Sequence, residues 1–145
     1  MSREEDIQYL LGQDRVWPPG VVSDNRRRFL RALIHVLQRL PRSTFNYVTD
    51  HVSFVVQDPE FFALSVPFRR SVPPSREERE VHMEQVTVFY AAFSLTDEAL
   101  VGLVAHEIAH CMVSADDYAE DEQAADNLVG DWGFSAELAM LRESR

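Results

Sequence analysis

Residues 106 to 110 read His-Glu-Ile-Ala-His, which are the residue types and the spacing that metal-assisted hydrolysis needs. Histidines four apart on a helix stand one turn apart along the axis and about 40° apart around it, so both imidazoles can reach one ion. A glutamate beside the first of them can take a proton from a water that the ion acidifies. The predicted chemistry is hydrolysis by a zinc-activated water, with His106 and His110 as metal ligands and Glu107 as general base.

That chemistry depends on a helix, and the run from Thr96 to Val113 reads as one. Thr96 offers an N-cap, Asp97 and Glu98 place negative charge in the first turn, and no proline interrupts. Gly102 is the weak residue, costing about 1 kcal/mol relative to Ala in a helix interior. Ala99, Leu103 and His110 share the face of His106, while Leu100, Val104, Ile108 and Cys111 fill the opposite side. A helix that is apolar nearly all round is expected to be buried, and buried imidazoles and carboxylates need partners. A metal ion and its water would supply them. The plain alternative is a pair of core histidines bonded to backbone carbonyls, with Glu107 turned to solvent. Cys111 is read as a small core residue and not as a ligand.

A zinc site needs at least three protein ligands, and a carboxylate oxygen is a normal third in hydrolases. The next segment, read as a helix from about residue 117 to 132, stacks Glu122, Ala125, Asp126 and Val129 on one stripe. Ala124 and Ala125 would let it approach the histidine helix closely. Glu122 is the predicted third ligand. Asp126, one turn on, is the group expected to accept the free ring N–H of a ligating histidine. Asp126 and Glu120 are the substitutes for the ligand role, and a merely solvated acidic helix start is the bland alternative.

His-Glu-Ile-Ala-His followed by Glu122-Gln-Ala-Ala-Asp126 resembles the HExxH…ExxAD signature of gluzincin metallopeptidases, which include the catalytic domains of the CAAX-prenyl-protease group and the small stand-alone minigluzincins. The run-in DEALVGLVAHEIAH and the later Gly133-Phe134 step also resemble that family, so the likeness covers roughly residues 86 to 140. It implies that His106, His110 and Glu122 bind zinc, that Glu107 is the base, and that Asp126 supports a ligand. The short gap between His110 and Glu122 resembles the small soluble members more than the membrane-embedded ones, and it requires a tight turn over residues 111 to 117.

The fold implied is α+β: a compact zincin-like metallopeptidase domain with an N-terminal helix, a small mixed β-sheet, the active-site helix and the third-ligand helix. Residues 1 to 22 are expected as an N-terminal extension, a short helix (Ile7 to Leu11) and a turn at Trp17-Pro18-Pro19-Gly20, which either docks on the body or fills the cleft. Residues 23 to 145 are expected as the single catalytic domain. Within it, Ser23 or Asp24 caps an amphipathic helix with Phe29, Leu30, Leu33, Ile34, Leu37 and Leu40 inward, closed by Pro41. Strands are predicted near 45 to 49 and 52 to 57, where Phe45, Tyr47, Val52, Phe54 and Val56 cluster. Residues 61 to 66 read as a strand or a helical turn, and the Pro-rich stretch after them as a loop. A strand over Val86 to Phe93 is expected to lead directly into the histidine helix and, by the resemblance, to pair with extended substrate. A last helix begins at Ser135 after Gly133. His35 and His82 read as surface residues.

The chain has 145 residues, 46% of them hydrophobic and 26% charged, which is ordinary globular composition for one domain. No stretch approaches eighteen consecutive apolar residues, the N-terminus is acidic, and there is one cysteine; together these predict a cytoplasmic protein with no membrane span. All 14 basic residues are arginine. Residues 1 to 80 hold 12 of them against 11 acids, while residues 81 to 145 hold 2 against 13. The site-bearing half is thus strongly anionic, which excludes nucleic acid as the expected partner and leaves a peptide or protein substrate. Tyr118, Tyr90 and His82 are the candidates for stabilising an oxyanion. A catalytically latent zinc-binding regulatory or interaction domain is the alternative function; the presence of Glu107, which a purely structural site does not need, favours hydrolysis.

Overall fold

The strongest amphipathic pattern in the chain forms the helix it predicts. In the computed structural model, which describes residues 2–12, 15–17, 24–56, 84–88, 90–113 and 118–144, helix α2 spans Asp24–Arg39 and buries Phe29, Ala32, Leu33, Val36 and Leu37. Before it come α1, Arg3–Leu11, capped by the Ser2 hydroxyl, and a two-residue strand β1, Val16–Trp17. After it come α3 (Arg42–His51), β2 (Val52–Val56), β3 (Glu84–Val88), a 3-10 turn (Tyr90–Ser94), α4 (Asp97–Met112), α5 (Tyr118–Asp131) and α6 (Ser135–Glu143). None of the described helices is long and apolar enough to cross a membrane. The expected segment at 61 to 66, the Pro-rich loop, residues 18 to 20 of the expected turn, the Ser23 cap, His82 and residues 114 to 117 lie outside the described residues.

Three expectations are corrected. The strand predicted at 45 to 49 is helical: Thr44, Phe45 and Val48 are buried at helical spacing, so the period of burial prevails over a composition rich in β-branched and aromatic residues. Pro41 closes α2 and opens α3, its carbonyl accepting the Phe45 N–H at 2.9 Å. The sheet, expected to be mixed, is parallel among the described strands, in the order β1-β2-β3, with Val16 beside Phe54 and Phe54 beside Val86. Parallel neighbours need a crossover connection, and α2 with α3 provides it between β1 and β2. Finally, β3 stops at Val88 and the 3-10 turn stands between it and α4. Arg28 on α2 fixes that turn by donating to the carbonyls of Phe93 (2.7 Å) and Leu95 (2.5 Å) and to Asp97 Oδ1 (2.9 Å).

The described part of residues 1 to 22 docks on the body: Ile7, Leu10 and Val16 belong to the same hydrophobic core as α2, the sheet and α4. Two arginines bind it there. Arg3 reaches the end of α2, donating to the Leu40 carbonyl at 2.6 Å, and lies over the Phe45 ring at 4.7 Å. Arg15 donates to the carbonyls of Val48, Thr49 and Val52 at the end of α3, satisfying acceptors that a helix C-terminus leaves open.

Helices α4, α5 and α6 pack together as the second part of the body. A Cβ at Gly102 would run into the Glu137 carbonyl, so this glycine is what allows α6 to lie directly on α4. The expected stop at Gly133 is present: its φ is 91°, the Phe134 N–H bonds to the Val129 carbonyl and the Gly133 N–H to that of Gly130, each at 3.0 Å. That is the Schellman arrangement, and it turns the chain sharply from α5 into α6.

Candidate metal centre

Helix α4 begins as the sequence indicates, with the Thr96 hydroxyl accepting the Ala99 N–H at 3.2 Å. Eight of its residues are buried, His106 among them at 3% exposure. Burial of this helix on its apolar faces fixes the direction of the two imidazoles, which stand edge to face with centroids 4.6 Å apart. Their Nε2 atoms approach to 3.0 Å. From α5, Ala125 and Val129 are fully buried, and the stripe they form brings Glu122 over the same point. Its Oε1 lies 2.7 Å from His110 Nε2 and its Oε2 3.4 Å from His106 Nε2.

These three residues, each offering one donor atom, could hold a metal ion. A tetrahedral ion with bonds of about 2.0–2.1 Å separates its donors by roughly 3.3–3.4 Å. His106 Nε2 and Glu122 Oε2 stand at 3.4 Å, while the other two pairs, at 3.0 and 2.7 Å, are at hydrogen-bond distance and would open by a few tenths of an ångström or more. Two imidazole nitrogens and a carboxylate oxygen this close must share either a ring N–H hydrogen or a metal ion.

The outer nitrogens of both rings face carboxylates. His110 Nδ1 is 2.7 Å from Asp121 Oδ2, and His106 Nδ1 is 3.1 Å from Asp126 Oδ1. The second contact is short but poorly directed, so that His106 Nδ1 has no well-formed hydrogen bond. Asp126 thus faces the outer nitrogen of His106, without the well-formed hydrogen bond expected of it. Asp121 was hidden in a run of acids that reads as a solvated helix start. The available signal was its adjacency to Glu122, which lets the pair reach the two nitrogens of one imidazole.

The charges respond accordingly. Burial alone pulls the His110 pKa down, but hydrogen bonds to Asp121 and Glu122 and the charges of Glu122 and Glu107 outweigh it, so the pKa is raised above 6.5. For Glu122, burial pushes the pKa up, and the bonds and charges of His110 and His106 bring it below 4.5. Glu107 is half-buried on the face next to the histidines, and its charge is one of those acting on His110. Glu120 is exposed and outside the cluster. Cys111 packs partly buried against the core, its Sγ turned toward the Glu107 carbonyl at 3.5 Å. Of the oxyanion candidates, His82 and the side chains of Tyr90 and Tyr118 lie outside what the structure describes.

Comparison with protein-family models, with curated proteins and with solved structures gives no match to this chain.

Proposed function

We propose that this chain is a small zinc-dependent peptidase of the gluzincin type with a zincin-like fold, in which His106, His110 and Glu122 hold the metal and Glu107 is the general base. The observation that carries this reading is the convergence of two imidazole nitrogens and one carboxylate oxygen within 4.8 Å, with Glu107 beside them on the same helix. Two nitrogens and one oxygen leave a fourth position for water or substrate, as catalytic zinc sites do, whereas structural sites are closed by four protein ligands. Zinc in this set supplies Lewis acidity toward a carbonyl and brings the pKa of a water toward about 7.

The chain's own residues do the rest. Asp121 bonds the outer nitrogen of His110, and Asp126 lies 3.1 Å from that of His106, the placement from which a carboxylate would hold each ring with its Nε2 lone pair inward. Glu107 takes the proton of the attacking water and hands it to the leaving amine as the peptide bond breaks. The test uses wild type, His106→Ala and Glu107→Gln, with metal content and release of a generic peptide as readouts. Wild type is expected to carry zinc and cleave, and His106→Ala to lose the metal. Glu107→Gln should keep the metal while turnover falls by about 10²- to 10⁴-fold. Undiminished cleavage in Glu107→Gln would overturn the hydrolase reading; zinc in the wild type without cleavage would point to the regulatory metal domain instead.

A further inference from the structure

Asp126 has a second neighbour that no sequence pattern pointed to. Arg142, near the end of α6, places one guanidinium nitrogen 2.7 Å from both carboxylate oxygens of Asp126. The same nitrogen lies 3.9 Å from Glu122 Oε2, so it faces both acids on the site-facing stripe of α5. Asp126 in turn lies against the buried Nδ1 of His106. Resting on the metal reading above, we propose that Arg142 is a positioning residue of the metal centre: it clamps Asp126 so that His106 keeps its ring proton on Nδ1 and presents Nε2 to the ion.

Asp126 and Glu122 are acids one helical turn apart, an arrangement that is unfavourable without a cation between them. The outer carboxylate also needs a fixed direction if it is to hold a ring. A guanidinium meets both needs here through one nitrogen, which stays charged and lies at the same distance from both Asp126 oxygens. Its own position is set from two sides of α6: Leu141 beside it is buried, and Gly102 lets α6 lie against α4. An ordinary surface ion pair, which contributes little to stability, would be indifferent to the metal.

The experiment follows that difference. Zinc affinity is measured on the full chain by competition with a chromophoric chelator, and the cobalt(II) absorption spectrum is recorded, for wild type, Arg142→Met, Arg142→Lys, Asp126→Asn and the Arg142→Met/Asp126→Asn double variant. Arg142→Met is expected to weaken zinc binding by about 10- to 100-fold, the range for lost outer partners of a ligand, and to change the cobalt spectrum while the metal-free melting temperature moves little. Arg142→Lys should recover part of the loss, and it carries the test if the Met variant does not fold. The double variant should bind no more weakly than Asp126→Asn alone. Wild-type affinity in Arg142→Met, or a double variant showing both losses in full, would overturn the inference while leaving the metal reading intact. A wild type that binds no zinc would remove the metal reading and this inference with it.

Discussion

The two parts of the chain use their charged side chains for opposite purposes. In the part built from α1 to α3 and the sheet, arginines close off the backbone: Arg3 takes carbonyls at the end of α2, Arg15 those at the end of α3, and Arg28 those of the 3-10 turn before α4. In the part built from α4 to α6, acids close off imidazoles, with Asp121 on His110, Asp126 against His106, and Glu122 over both. The first arrangement is complete without any further group. The second gathers negative charge around two histidines, in a group that could hold a metal ion. Charge count alone shows the imbalance, but only the contacts show that one set of charges closes off backbone carbonyls and the other gathers on two imidazoles that could hold a metal ion.

The largest effect that could break this contrast is expected at Arg15. Arg15→Met removes every guanidinium bond to Val48, Thr49 and Val52 and should cost about 2–4 kcal/mol, because partly buried carbonyls lose charged donors. Urea melts of the metal-free chain would show the loss, and zinc affinity should stay where it was. A drop in both would mean that the two parts are not separate in this sense. Gly102→Ala should strike both at once. Helix propensity alone would make it stabilising by about 1 kcal/mol, but the new Cβ meets the Glu137 carbonyl, so we expect destabilisation of roughly 1–3 kcal/mol. Arg142 rides on the displaced helix, and zinc affinity should fall with stability. A stabilised Gly102→Ala variant would show that α6 shifts at no cost.

The smallest effect is in pH, and it sharpens the contrast. In the metal-free chain the raised His110 pKa contributes stability that is fully present below about 6.5 and lost as pH rises through the folded value. The lowered Glu122 pKa contributes stability present above about 4.5 and lost as pH falls through its folded value. These two groups therefore favour the metal-free fold most between those limits. Zinc bound as proposed would have to displace the His110 proton, so its affinity should weaken on acidification, starting above pH 6.5. Zinc titrations between about pH 8 and 5.5 that showed no trend would contradict the placement of His110 among the ligands.

Where the sequence was legible, one physical rule dominated each stretch. The amphipathic α2, the capped and apolar α4, the Glu122-Ala125-Asp126-Val129 stripe and the Gly133 turn are each dictated by local pattern, and each forms. Helix α3 was misread because its residues favour strands while their burial follows the helical period. The parallel sheet was illegible because β1 has two residues and its pairing with Phe54 and Val55 is set by distant chain. Asp121 and Arg142 were missed for a related reason: a carboxylate in an acidic run and an arginine near the C-terminus acquire meaning only when α5 and α6 turn them toward the histidines. Gly102 looked like a weakness of its helix until α6 was seen against it.

The sharp turn at Gly133 carries a consequence for how the protein comes to be. Asp121 and Glu122 meet His110 over only 11 and 12 residues and the Gly133 turn brings Arg142 to Asp126 over 16, whereas β1 and β2 pair across nearly forty residues of intervening chain. Short-range closure is entropically cheaper and faster than long-range closure. A chain refolding from the unfolded state is thus expected to bring His110, Asp121 and Glu122 together before β1 and β2 find their register, so that an ion taken by the proposed centre would guide folding as well as follow it.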